Sequence, residues 1–169
     1  PELTSSSRLL ASRFDERRVY ATFDGHQQDD MAPYVYASDD GGDTWRPIAA
    51  GLPDWSVNVI VEHHRNEDLL FLGNELGLYF SLDRGVTWER LKNNLPTIPV
   101  HDLVIHPREN DLVVGTFGRG FYIADISTLQ ELTQQVLDSD VHLFQIETKV
   151  QWVMPRQTAV ADQNFEGEN

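Results

Sequence analysis

Three groups of side chains are of types that can do chemistry. Gly118-Arg119-Gly120 sets one guanidinium between two glycines. Such a turn can present backbone N–H groups and a planar cation to an anion or a sugar carboxylate. It can equally be a tight hairpin turn with Arg119 packed against a neighbouring element. Glu62-His63-His64, His101 and His106 offer imidazoles and a carboxylate, donors that suit a transition metal. Alternation along a strand would send His63 and His64 to opposite faces, so a structural role is the expectation for them. Asp24-Gly25-His26-Gln27-Gln28-Asp29-Asp30 is acidic but lacks the spaced Asp-x-Asp-x-Asp-Gly pattern of a calcium loop. Among Trp45, Trp55, Trp88 and Trp152, Trp55 follows a Leu-Pro turn and is the one expected to be partly exposed for stacking on a ligand. Gly118, Arg119, Gly120 and Trp55 are therefore the candidate ligand-binding residues. No spacing assigns a catalytic residue, a metal site or a cofactor.

The elements that must position these residues are set by a repeat. Ser38-Asp39-Asp40-Gly41-Gly42-Asp43-Thr44-Trp45 recurs 43 positions later as Ser81-Leu82-Asp83-Arg84-Gly85-Val86-Thr87-Trp88. Asp40 and Asp83 can accept N–H bonds across a tight turn, and Gly42 and Gly85 supply a left-handed dihedral. Thr44 and Thr87 restart an extended strand, and Trp45 and Trp88 cover the turn with a large ring. Ser38 and Ser81 complete the repeated structural set.

Composition narrows the classes. The chain has 169 residues, enough for one core. Lys plus Arg is 13 and Asp plus Glu is 27, a formal net charge of −14. That balance argues against nucleic acid and anionic membrane surfaces as partners. With no cysteine, disulfide scaffolds and thiol chemistry are excluded. No apolar run reaches the ~20 residues of a membrane span. The chain opens Pro1-Glu2-Leu3 without Met, as expected of a processed product or a piece of something longer.

In order, residues 8–50 read as a first four-stranded unit, with strands at 8–14, 18–23, 33–38 and 44–48 and a long loop at 24–30. Residues 54–93 repeat the plan. Val57 to Val61 is nearly continuous apolar, as in a strand covered on both faces. A third unit, 97–125, opens Val100-His101-Asp102-Leu103-Val104-Ile105 but carries no such Asp-Gly-Thr-Trp turn. Ser127 to Leu137 has a capping-box start and an apolar stripe of Leu129, Leu132, Val136 and Leu137, predicting one helix packed outside the sheets. Residues 141–146 and 150–153 each read as a strand that helps close the segment 126–158. Residues 159–169 are a polar tail. The expected fold is all-β: two complete four-stranded antiparallel units, an incomplete third and one short C-terminal helix.

The repeated turn resembles the Asp-box, or BNR repeat, of β-propellers. With Thr116 to Asp125, a helix and Val141 to Phe144, the chain is similar to the end of the propeller in large bacterial sortilin-like BNR-repeat proteins, often labelled glycosyl hydrolases. Phe117 departs from that pattern, in which His is common before Gly-Arg-Gly. The resemblance implies that the boxes are structural, lie away from any ligand site, and belong to a large, secreted or periplasmic protein. It implies, as partners, the rest of a larger propeller or other copies of the chain, and a protein or glycan ligand. The expected function is a non-catalytic scaffold or binding module. The alternative is one sector of a glycoside hydrolase whose carboxylates lie partly on missing blades. Neither a sialidase arginine triad nor a facing Asp pair can be picked out.

Overall fold

The computed structural model describes residues 5–92 and 94–144. Among these residues eleven strands form three antiparallel meanders. The first sheet contains β1 (Ser6–Ala11), β2 (Val19–Gly25), β3 (Asp30–Ser38) and β4 (Arg46–Pro47), paired in that order. The second contains β5 (Val57–Glu62), β6 (Leu70–Asn74), β7 (Gly77–Ser81) and β8 (Glu89–Arg90). The third has three strands, β9 (Val100–Ile105), β10 (Asp111–Thr116) and β11 (Phe121–Asp125). This is the expected partial β-propeller, two four-stranded blades and an incomplete third.

Period-two alternation decides how the sheets stack. Leu10, Tyr20 and Ala37 lie across from one another on the first sheet, as do Ile60, Leu72 and Tyr79 on the second. These rows meet and, with Val35, Ile48, Val57, Leu70 and Trp88, form one core. The opposite face of the second sheet sends Val59, Phe71 and Leu78 against Val100, Leu103, Leu112 and Val114 of the third. The central strand β6 is buried along its whole length. Each fully buried aliphatic side chain is worth roughly 1.5–3 kcal/mol, against about 0–1 kcal/mol for an exposed pair such as Arg108–Glu109. The sheet interfaces, not the ion pairs, hold the molecule together.

Polar bonds stitch the inner strands as well. Ser12 Oγ and the Arg13 N–H both donate to the Glu62 carboxylate at 2.8 Å. They draw the chain off the first sheet, which is why the strand expected over 8–14 stops at Ala11. Ser7 Oγ donates to the Val57 carbonyl at 2.7 Å, and Arg8 pairs with Asp102 of the third sheet.

Several expectations are corrected. The loop expected over 24–30 is shorter: Asp24, Gly25 and Asp30 belong to strands, joined by one 3-10 turn (His26–Gln28) with Asp29 left-handed at φ 59°. Gly25 still pairs with Asp30, because the Asp24 carboxylate accepts the His26 N–H and tightens the turn. The single helix is two short turns, α1 (Ser127–Gln130) and α2 (Gln134–Leu137). Ser127 is inside α1 rather than its cap, and its hydroxyl donates to Asp125. Leu129 is pinned to the core of the second and third sheets. Asn66 donates to the Gln130 carbonyl, and Thr133 then starts a fresh turn by accepting from Val136 and Leu137. The strand expected over 141–146 is absent from residues 141–144, and the remainder, with 150–153 and 159–169, lies outside the described residues. β9 is covered on one face only. Leu103 is buried against the second sheet, while Val104 is 55 % exposed on the other face, in one row with Val113 and Ile123. No described helix is long and apolar enough to cross a membrane.

Candidate functional site

The two repeated turns have one geometry. Asp40 accepts the Thr44 N–H at 2.8 Å and the Thr44 hydroxyl at 2.5 Å, and Asp83 does the same with Thr87 at the same distances. Ser38 and Ser81 each donate to the aspartate at 2.7 Å and accept a glycine N–H, from Gly42 or Gly85, at 2.8 Å. Gly42 and Gly85 have φ of 101° and 86°. The Thr44 hydroxyl, then its N–H and the Ser38 hydroxyl, lower the Asp40 carboxyl to about 2. Burial opposes ionisation of Asp83, yet the Thr87 and Ser81 bonds outweigh it and hold this carboxyl low too. Every oxygen is engaged in shaping the turn.

The two tryptophans differ. Trp88 is 6 % exposed and its indole donates to the Ile48 carbonyl of the first sheet. Trp45 is 42 % exposed and donates locally to Gly42.

At the other ends of β3 and β7 all three sheets contribute to one cleft of about 360 Å³. Asp24, His26 and Met31 come from the β2–β3 hairpin, and Trp55, Ser56 and Asn58 from the entry to β5. Glu75 comes from the β6–β7 hairpin, His101 from β9 and Phe117 from the β10–β11 hairpin. The turn between the second and third strands falls at the same end of each meander, so the stacked sheets bring these three hairpins together. His101 and Phe117 stack with ring centroids 5.4 Å apart. Asn58 Nδ2 donates to Glu75 Oε1 at 2.9 Å and to the Val100 carbonyl at 3.1 Å. Burial works against ionisation of Asp24, but bonds from the His26 N–H, Ser56 and the His26 ring prevail and keep its carboxyl below the ordinary range.

No family model matches the sequence, and no curated protein does. Solved structures share the fold. An ancestral GH74 enzyme superposes with a TM-score of 0.58 at 16% identity, over 72% of this chain and 17% of that one. The GH74 xyloglucanase from Xanthomonas campestris gives 0.55 at 15% identity, over 72% and 21%. The GH74 enzyme from Niastella koreensis gives 0.58 at 14% identity, over 73% and 21%. The relationship is one of β-propeller architecture. This chain spans about a fifth of the length of those enzymes.

Of the candidate residues, Trp55 lines the cleft. Gly118, Arg119 and Gly120 form the exposed tip of the β10–β11 hairpin, with both glycines left-handed, and do not line it. The neighbouring Phe117 does. Asp24, Asn58, Glu75 and His101 gave no signal as a set, because they are up to 77 positions apart in the chain. The expected separation of His63 and His64 is corrected: their rings stack at 4.6 Å, since β5 ends at Glu62 and alternation stops there. Burial first, then the neighbouring His64 and Arg65, lowers His63 to about 4. Among the described residues no group of three His, Asp or Glu is placed to hold a metal.

Proposed function

We propose that this chain is a sector of a larger propeller that binds a peptide or glycan ligand, without catalysing a reaction on it. The observation that carries this reading is the cleft assembled from all three sheets, with Trp55, Phe117 and His101 as flat rings and Asn58, Glu75 and Asp24 as hydrogen-bonding groups. Aromatic rings combined with a few fixed polar groups are the usual make-up of a ligand site. The repeated turns are the wrong place for a ligand, because their carboxylates and hydroxyls already bond one another. The larger propeller, secreted or periplasmic, would supply the remaining blades or obtain them from other copies of the chain.

A second reading, part of a glycoside hydrolase, is favoured by the presence of Asp24 and Glu75 on separate sheets in one cleft. Against it, Asp24 is held low, whereas a general acid needs a raised carboxyl. Incubation with β-glucans, xyloglucan and aryl glycosides separates the two. Binding without release of reducing ends is the expected outcome. Turnover that disappears in Asp24→Asn or Glu75→Gln would establish the hydrolase instead.

A further inference from the structure

We infer that the cleft takes the cationic side chain of a peptide, a lysine or an arginine, with Glu75 as its ion partner and the rings of Trp55 and Phe117 beside its stem. This rests on the cleft being a ligand site. The sign comes from the lining: its carboxylates are Asp24 and Glu75, among the described residues no lysine or arginine lines it, and the whole chain carries −14. An anionic ligand would be repelled.

Of the two acids, Glu75 is the one left to act. Both Asp24 oxygens are occupied, one by the His26 N–H and the other by the His26 ring. Glu75 uses only Oε1, which accepts from Asn58 and stands 3.7 Å from His101 Nε2, while Oε2 has no partner among the described residues. Asn58 is itself tied to the Val100 carbonyl, so the carboxylate is held in place before any ligand arrives. An anchored carboxylate with a free oxygen suits a charge-assisted bond from an ammonium or guanidinium.

The rest of the lining suits the same ligand. Trp55 and Phe117 are exposed apolar rings, and Met31 adds a further apolar surface beside the buried Ser56. Cations are attracted to aromatic faces, and the methylene stems of lysine and arginine lie along apolar surface with the charge projecting beyond it.

The test uses the full chain and dye-labelled, acetylated and amidated pentapeptides with a central Lys, Arg, citrulline or norleucine, followed by fluorescence anisotropy. Cellohexaose serves as unlabelled competitor. Lys and Arg peptides should bind about tenfold more tightly than the neutral pair at about 0.15 M salt. Glu75→Gln should remove that preference, and Glu16→Gln, an exposed acid at the opposite end, should not. Melting curves confirm that each variant is folded. Equal binding of charged and neutral peptides would overturn the inference, as would equal losses in Glu75→Gln and Glu16→Gln. Binding of cellohexaose without any peptide binding would overturn it too, yet leave the cleft a ligand site. Binding of none of these probes would remove both readings.

Discussion

The indole nitrogen of Trp88 donates to the main-chain carbonyl of Ile48 at 2.6 Å, a bond between neighbouring sheets across 40 positions of sequence. Trp88→Phe keeps most of the ring but leaves that buried carbonyl without its donor. We expect a loss of roughly 1–3 kcal/mol in denaturant unfolding. Trp45→Phe should cost less than about 0.5 kcal/mol, because water can replace its exposed local bond. Equal costs would refute a special role for Trp88 between sheets.

Asp83→Ala removes the acceptor of both the Thr87 N–H and the Thr87 hydroxyl. Thr87 is exposed, so water recovers part of the loss and roughly 1–2 kcal/mol remains. Asp40→Ala should destabilise in the same direction. Ligand affinity of the folded variants should be unchanged, since the turns lie at the strand ends remote from the cleft. Lost binding at an unchanged melting temperature would make the turn a site.

Gly73 lets the second and third sheets approach closely. A Cβ there would stand 2.5 Å from Val100 Cγ1 and 2.8 Å from Val59 Cγ1. Gly73→Ala should therefore destabilise by about 1–3 kcal/mol through overpacking. Pairing it with Val100→Ala should recover part of the loss, and a double mutant no better than additive would argue against this contact as the cause.

Acid should weaken the fold in two stages. His63 titrates near 4 when folded and about 6.5 when unfolded, so the unfolded chain takes the proton first. Its contribution is complete above about pH 6.5 and declines as pH falls to about 4. Asp40, depressed to about 2, contributes fully above about pH 4 and loses that contribution as pH falls through 2. Melting temperatures at pH 8, 5 and 3 test this. His63→Gln should flatten the upper stage, and an unaltered slope there would assign it to another group.

The parts of the fold visible in the sequence are those fixed by nearby residues. The repeated turns close through bonds no more than four positions long, so Ser38 to Trp45 and Ser81 to Trp88 announce themselves. The helix over 127–137 looked continuous because its stripe is periodic, and the contacts that divide it come from Asn66 and from the core around Leu129. His63 and His64 were misplaced because strand alternation was extended one residue too far. The cleft was least visible of all. Of its lining only Trp55 was among the expected ligand-binding residues, because Asp24, Glu75 and Phe117 acquire their relation through the stacking of three sheets.

Placing the fastening turns at one end of the strands and the cleft hairpins at the other separates two selective pressures. Residues 26–29 and 116–120 can be lengthened, shortened or replaced without touching the serine, aspartate and threonine bonds that close the opposite end. Such a framework lends itself to loop grafting. It also gives lineages a way to exchange one specificity for another while the scaffold stays the same.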